Sequence, residues 1–379
     1  MKIQQKKYSK NNGWEVIKNN DFDTEKCNFI IIFGSTTLLS NESIYSFIKS
    51  TYPTAVILIN STAGEIIDTQ VNDETISLTA IQLEKTSVKT AIVQIENVAN
   101  SFEAGKALAA QLDSVNLRNV LVIADGQKVN GSDLVIGLQE SLPAEVIITG
   151  GLAGDGSRFK KTLIGLNEIP VEGRIAAVGF YGNDISITCG SVGGYDSFGH
   201  ERLITKSKEN ILYELDNKPA LDIYKRYLGE YAKDLPLSGL LFPLSIRTTD
   251  YTTSLVRTIL AVDEEEKSLT FAGNMPEGSY ARLMTANFDR LIEGAHLAAQ
   301  NTITDKVKEP DLALLISCVG RKLVLNQRVE EEVEVIRNMY GTKTAIAGFY
   351  SYGEIAPFFN YQKCELHNQT MTITTFTEN

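Results

Sequence analysis

A mixed α/β fold in two packed domains is predicted by three features of the sequence. Short uninterrupted apolar runs, such as those at 29–33 and 55–59, have the length and β-branched content of buried central strands. Segments with apolar residues at helical offsets lie between such runs, so strand, helix and strand recur in order and imply parallel pairs with right-handed crossovers. Extended pairs around short polar turns, 76–83 with 88–95 and 175–181 with 185–189, read as antiparallel hairpins.

Residues 1–27 are rich in Lys, Asn and Asp without periodicity and read as a loosely held N-terminal arm, on which Trp14, Val16 and Ile17 could dock. The N-terminal domain is expected over 28–216. After the strand at 29–33, Ser40 or Asn41 can cap a helix with Ile44, Phe47 and Ile48 on one face, and the strand at 55–59 completes a β-α-β unit. Beyond the first hairpin, Asn100 with Glu103 forms a capping box for a helix carrying Leu108, Ala109 and Leu112. A strand at 120–124, a helix capped by Ser132 with Leu134, Val135, Leu138 and Leu142, and a strand at 146–148 follow; 160–206 is mostly extended.

The C-terminal domain is expected over 217–379. Pro219 suits the first position of a helix with Ala220, Ile223, Tyr224 and Tyr227 at helical spacing. Strands are predicted at 239–246, 252–262 and 268–271, and a helix over 287–301 sets Phe288, Leu291, Ile292, Ala295 and Ala299 on one face. A strand at 312–317, an acidic helix with Leu325, Val329, Val333, Ile336 and Tyr340, and strands near 344–347 and 370–375 finish the chain. No low-complexity linker parts the halves, which implies an interface able to hold a ligand.

The balance of 36 Lys+Arg against 47 Asp+Glu, a net charge of -11 spread along the chain, disfavours nucleic acid and anionic membrane as partners. Four separated cysteines form no metal or disulfide pattern and fit a reducing cytoplasm, and no apolar run is long enough for membrane insertion. No Gly-x-Ser-x-Gly elbow, phosphate-binding Gly-Lys-Ser/Thr loop or dinucleotide fingerprint is present, so a non-enzymatic role is expected.

In three places a strand empties into small residues with an acid after a glycine: Thr62-Ala63-Gly64-Glu65, Leu152-Ala153-Gly154-Asp155 and Tyr352-Gly353-Glu354. Ligands of α/β folds gather at the carboxyl ends of strands, and glycine lets backbone approach them closely. Glu65, Asp155 and Glu354 could receive an ammonium group, or else cap the elements that follow. Arg321 could hold a carboxylate, with Arg257 a weaker candidate. Cys318 stands where a strand gives way to a helix near Arg321; it reads either as a thiol of lowered pKa, hence the less favoured cysteine-dependent enzyme, or as a small buried residue. Of the three histidines, His200 sits in a turn, His296 beside an apolar helix face, and His367 could bond ligand or backbone.

The stretches Ser61-Thr62-Ala63-Gly64-Glu65-Ile66, Gly150-Gly151-Leu152-Ala153-Gly154-Asp155-Gly156 and 215–224 resemble the N-terminal FIST sensory domain. Ser317-Cys318-Val319-Gly320-Arg321, the run 348–357 and Leu366-His367-Asn368-Gln369-Thr370 resemble the C-terminal one. The resemblance, over roughly 28–375, implies a signal-transduction input module that binds a small molecule such as an amino acid. It implies a separate output partner, such as a histidine kinase, chemoreceptor or cyclic-dinucleotide enzyme. No cofactor is expected; the alternative it carries is haem held by one histidine for nitric oxide sensing. On this reading the ligand meets Ser61, Thr62, Glu65, Gly151, Asp155, Arg257, Cys318, Arg321, Glu354, His367 and Asn368, with Tyr350 and Tyr352 as aromatic walls.

Overall fold

The computed structural model describes residues 1–19, 21–247, 254–305, 307–357 and 363–379. It opens with β1 (Lys2–Ser9) and β2 (Gly13–Asn19), then a first unit: β3 (Phe29–Gly34), the one-turn α1 (Thr36–Leu39), α2 (Glu42–Thr51), β4 (Val56–Ser61), β5 (Glu65–Ile67), β6 (Gln70–Asn72) and β7 (Ile76–Gln82). After β8 (Ser87–Gln94) and α3 (Ser101–Ala109), a second unit runs β9 (Leu117–Ala124), α4 (Gly131–Ser141), β10 (Ile147–Leu152), β11 (Ile164–Leu166) and β12 (Arg174–Tyr181). Next come β13 (Ile185–Val192) and an inserted segment: β14 (Tyr195–Lys208), β15 (Ile211–Leu215), β16 (Lys218–Pro219), α5 (Ala220–Leu228), β17 (Leu244–Arg247), β18 (Leu255–Arg257), β19 (Ile259–Asp263), β20 (Ser268–Phe271) and β21 (Tyr280–Ala286). Then α6 (Phe288–Gln300) leads to a third unit: β22 (Leu312–Cys318), α7 (Val319–Leu325), α8 (Glu331–Tyr340), β23 (Ala345–Ser351), β24 (Glu354–Pro357), β25 (Cys364–His367) and β26 (Met371–Glu378). With 25% helix and 43% strand in sheets that mix parallel and antiparallel pairs, the fold is of the mixed α/β class predicted.

The three units share one plan. In each, two strands pair in parallel and a third returns antiparallel beside the first, giving β4-β3-β7, β10-β9-β12 and β23-β22-β26. The registers agree: Gly34 stands opposite Ser61 and Ile76, Ala124 opposite Leu152 and Ile175, and Ser317 opposite Tyr350 and Met371. The short strand after the turn leaves its own sheet. β5 pairs with β23, β24 with β10 and β11 with β4, so every unit passes a strand to another in a closed cycle. The far edges cycle too, with β8 on β12, β13 on β26 and β1 on β7. The result is three six-stranded sheets that share one order over five strands, the sixth being β2 beyond β1 in the first sheet and β25 or β6 beyond the exchanged strand in the others.

Their inner faces meet in one core. Phe33 lies 4.8 Å from Phe349, Phe29 5.5 Å from Phe180 and Phe180 5.0 Å from Phe376, each pair joining two units. Helices cover the outer faces: Ile44 and Ile48 of α2 pack under the first sheet, while Leu134 and Leu138 of α4 and Val333 and Ile336 of α8 cover the others. The inserted segment forms a separate eight-stranded sheet with its own core around Leu212, Tyr224 and Phe271.

Several expectations change. The loosely held arm is instead the β1–β2 hairpin: Gln5 Nε2 donates to Ile346 O at 2.9 Å, Tyr52 donates to Gln4 at 2.6 Å, and Trp14 stacks on Phe47 at 5.4 Å. Buried glutamines, satisfied by these bonds, hide the strand from a hydrophobic pattern. Neither predicted hairpin forms, since β7 pairs with β3 and β1, β8 and β12 pair with each other, and β13 pairs with β26. Asn130 rather than Ser132 caps α4. Only 244–246 of the strand expected over 239–246 is extended, as the start of Leu244–Arg247, and the start of the one at 252–262 lies outside the described residues.

Candidate functional site

The turns after β4 and β23 are built alike. Thr62 Oγ1 donates to Glu65 Oε1 at 2.6 Å, Gly64 N donates to the same threonine oxygen at 3.2 Å, and Glu65 Oε2 accepts from Thr75 N and Oγ1 at 3.2 and 2.7 Å. At the other turn Ser351 Oγ donates to Glu354 Oε1 at 2.6 Å, Gly353 N to Ser351 Oγ at 3.3 Å, and Thr370 N and Oγ1 to Glu354 Oε2 at 3.3 and 2.9 Å. Both carboxyls tie an exchanged strand to the start of a return strand. Burial pushes them up, Glu65 to about 7 and Glu354 to about 8, against the pull of their hydrogen bonds.

Asp155 is different. Its Oδ1 takes Thr36 Oγ1 at 2.7 Å and Arg158 Nη2 at 2.7 Å, and Lys161 N reaches Oδ2 at 3.2 Å. In the second unit the matching tie comes from Asp125, which accepts from Thr162 Oγ1 and Gly173 N, each at 2.7 Å. The three acids expected to face a ligand therefore spend their oxygens inside the fold.

Arg321 also lies elsewhere than expected. Fully buried, it donates Nε and Nη2 to Glu332 Oε2 at 3.0 and 2.8 Å, Nη2 to Leu291 O at 2.7 Å, and Nη1 to Gly193 O at 2.9 Å. Tyr350 donates to Glu332 Oε1 at 2.6 Å, so Tyr350 belongs to this ion pair rather than to a ligand wall. Arg257, also buried, donates to the carbonyls of Leu366 at 2.9 Å, Asn274 at 3.2 Å and Val256 at 3.2 Å, and burial lowers it to about 10. It joins the insert to β25. Ser61 Oγ bonds Gly154 O at 2.7 Å and Leu163 N at 2.8 Å. Gly151 faces Glu354 across the β10–β24 pair, where a Cβ would meet Ile316 Cγ2 at 2.9 Å.

A cavity of about 1320 Å³ opens between the insert and the carboxyl ends of the second and third units. Gly126 to Gly131, leading into α4, form one wall; Cys318 to Gly320 and Leu323, at α7, form another; Tyr352, Leu366 and Asn368 form the floor. The insert closes the far side with Thr258 to Leu260 and with Leu235 to Ser238, Leu240 and Leu241, around the short 3-10 helix Leu237–Leu240. Of the residues nominated from sequence, Cys318, Tyr352 and Asn368 line this cavity, whereas Ser61, Thr62, Glu65, Gly151, Asp155, Arg257, Arg321, Tyr350, Glu354 and His367 do not. Tyr352 stacks on Phe159 at 4.6 Å, and its hydroxyl accepts from Asp155 N at 2.9 Å and donates to Gly156 O at 3.1 Å. Asn368 Oδ1 accepts from Thr258 N at 3.4 Å. Sequence reasoning missed the insert's share, for 235–241 carries no chemical motif and its end was read as part of a strand; Leu237, Leu240 and Leu241 at helical spacing were the available signal.

The cavity's three charged lining residues, Lys128, Glu209 and Asp234, are all exposed at its rim, and Lys128 is drawn outward by Glu96 at 3.5 Å. Cys318 is buried, so the thiol is pushed well up despite N–H groups of Gly320 and Gln369 beside it; of its two readings, the small buried residue holds and the thiol of lowered pKa does not. Haem fits this wall poorly. No histidine lines it: His200 and His296 are exposed elsewhere, and His367 is buried with Nε2 2.8 Å from Ala356 O and its pKa lowered to about 4 by burial.

Compared with known proteins, residues 28–218 match the family model described as the FIST N domain and residues 220–357 the one described as the FIST C domain. An uncharacterized protein of Methanocaldococcus jannaschii is 26% identical over 252 residues, 58% of this chain and 46% of that protein. The chain thus covers less than half the length of this relative.

Proposed function

Because the chain belongs to the FIST family, with both its N and its C domain, we propose that it is the sensory input module of a signalling system and that its ligand occupies the cavity between the insert and the unit ends. The observation that carries this reading is the convergence of Cys318, Tyr352 and Asn368, three residues of the family-like motifs, on one large concave surface at the carboxyl ends of parallel strands. Glu65, Glu354 and Arg321 shape that surface from behind without touching it. The ligand is a small organic metabolite. A free amino acid, the class the resemblance implies, would meet charged partners only at the rim, in Lys128, Glu209 and Asp234.

The role is non-catalytic on this reading, since the one thiol on the wall is held protonated. Output passes to a separate cytoplasmic protein such as a histidine kinase, chemoreceptor or cyclic-dinucleotide enzyme. The four cysteines are all free, in keeping with a reducing compartment, and no helix among the described residues is long and apolar enough to cross a membrane. A thermal-shift screen of metabolites, amino acids included, tests the site. Hits should lose their effect in Leu323→Arg, which puts a charge at the mouth from a partly exposed position. Hits that survive this change would place the ligand elsewhere.

A further inference from the structure

The walls of the cavity are leucine-rich and its depths uncharged. Eight leucines line it, four of them between Leu235 and Leu241. Large apolar side chains stand exposed around the mouth, Leu237 at 69% and Leu260 at 47%, together with Tyr231, Phe159 and Leu323. A monomer rarely leaves so many apolar groups uncovered around one opening without use for them. All three charged lining residues are on the exposed rim, so a charge carried into the depths would find no counter-ion among the lining residues.

Two lining hydroxyls have bonding capacity to spare. Ser238, only 5% exposed, has an Oγ with no hydrogen-bond partner among the described residues. Thr258, 4% exposed, accepts from Gln369 Nε2 at 3.0 Å, and among the described residues its hydroxyl proton is given to no acceptor. Both line the cavity, and the segments that carry them meet at their neighbours, since a Cβ on Gly239 would lie 3.1 Å from Ile259 Cβ. A buried polar group without a partner is costly, and a ligand that supplies one is favoured by that amount.

From these observations we infer that the ligand is an uncharged amphiphile, an alkyl body packed on the leucine wall with a neutral amide, carbonyl or hydroxyl head bonded to Ser238 and Thr258. The inference rests on the cavity being the ligand site. The amide oxygen accepts from Thr258 and the amide hydrogens reach Ser238, while a carboxylate or ammonium head would have to shed its hydration without gaining a countercharge.

The test is calorimetric titration of the full chain with octanamide, octanoate and octylammonium, which share a body and differ in head charge. Octanamide should bind about tenfold tighter than either ion. In Ser238→Ala combined with Thr258→Val that preference should shrink to within about threefold, while octanoate binding hardly changes. Equal or tighter binding of an ion, or no binding of any of the three, overturns the ligand class. If metabolites from the thermal-shift screen still respond to Leu323→Arg in that event, the cavity stands and only the class fails; octanamide binding that ignores Leu323→Arg overturns both.

Discussion

Glu354 offers the sharpest test of how the units are clasped. It is fully buried, accepts three hydrogen bonds from Ser351 and Thr370, makes no ion pair among the described residues, and burial lifts it from 4.5 to about 8. Between those values the unfolded chain releases this proton while the folded chain keeps it, so stability falls as pH rises. At about 1.4 kcal/mol per unit the loss is on the order of 5 kcal/mol by pH 8.5, a large part of a domain's ordinary stability. In Glu354→Gln the amide can donate to Ser351 Oγ and accept from Thr370, as the protonated acid does, so this loss should vanish. Urea unfolding of both proteins from pH 4.5 to 8.5 measures it. His367, lowered to about 4, acts in the opposite direction below pH 6.5 and cancels in the difference between the two proteins. A difference that stays flat across this range would mean that the hydrogen bonds outweigh burial and that the carboxyl is ionised throughout, and the reasoning would fail.

Other outcomes follow from the same geometry. Glu65→Gln should show the same effect over a shorter span, on the order of 3 kcal/mol, ending near pH 7. Arg321→Met should cost about 3–5 kcal/mol in urea unfolding, since it strands the buried Glu332 carboxylate; Arg321→Met with Glu332→Leu should recover part of that loss. Fragments 1–216 and 217–379 should not fold when expressed apart but should co-purify when expressed together, because β5 and β13 complete the third unit's sheet and β24 and β25 the second's. A cooperative unfolding transition in either fragment alone would refute this. Gly126→Ala would bring a Cβ to 2.1 Å from Ala153 O, and a loss of about 1–3 kcal/mol with weaker ligand binding is expected, read by urea unfolding and thermal shift.

Helix starts were legible because they depend on neighbours in the chain: Asn41 and Asn100 cap as their side chains and spacing indicate, and the helix expected from 287 begins at Phe288. Strand existence was legible for the same reason at 29–34, 312–318 and 345–351. Pairing was not. The short connection between β7 and β8 signals a hairpin by local chemistry, while the actual partners, β3 and β12, are chosen by an exchange between distant segments that no local pattern encodes. The acid-bearing turns were visible at Glu65 and Glu354, but their recurrence reflects a repeated clasp. An acid next to glycine looks the same in sequence whether its oxygens meet a ligand or the next strand's N–H. The cavity wall at 235–241 escaped notice because leucines that face a void and leucines that fill a core are written alike.

The cyclic passing of strands also bears on where the chain's ends sit. β1 takes, beside β7, the place that β8 and β13 take beside the return strands of the other units, and the Met1 nitrogen lies 3.4 Å from Glu378 Oε2. Between Met1 and Glu378 the polypeptide therefore traces a closed loop, and each junction between units is topologically equivalent to the others. A gene in which residues 1 and 379 are joined by a short linker and the chain is reopened between β7 and β8 should encode the same ring, with the insert and the cavity beside it unmoved. The cycle of exchanged strands is thus blind to which unit comes first, and only the corner that carries the insert gives it a front.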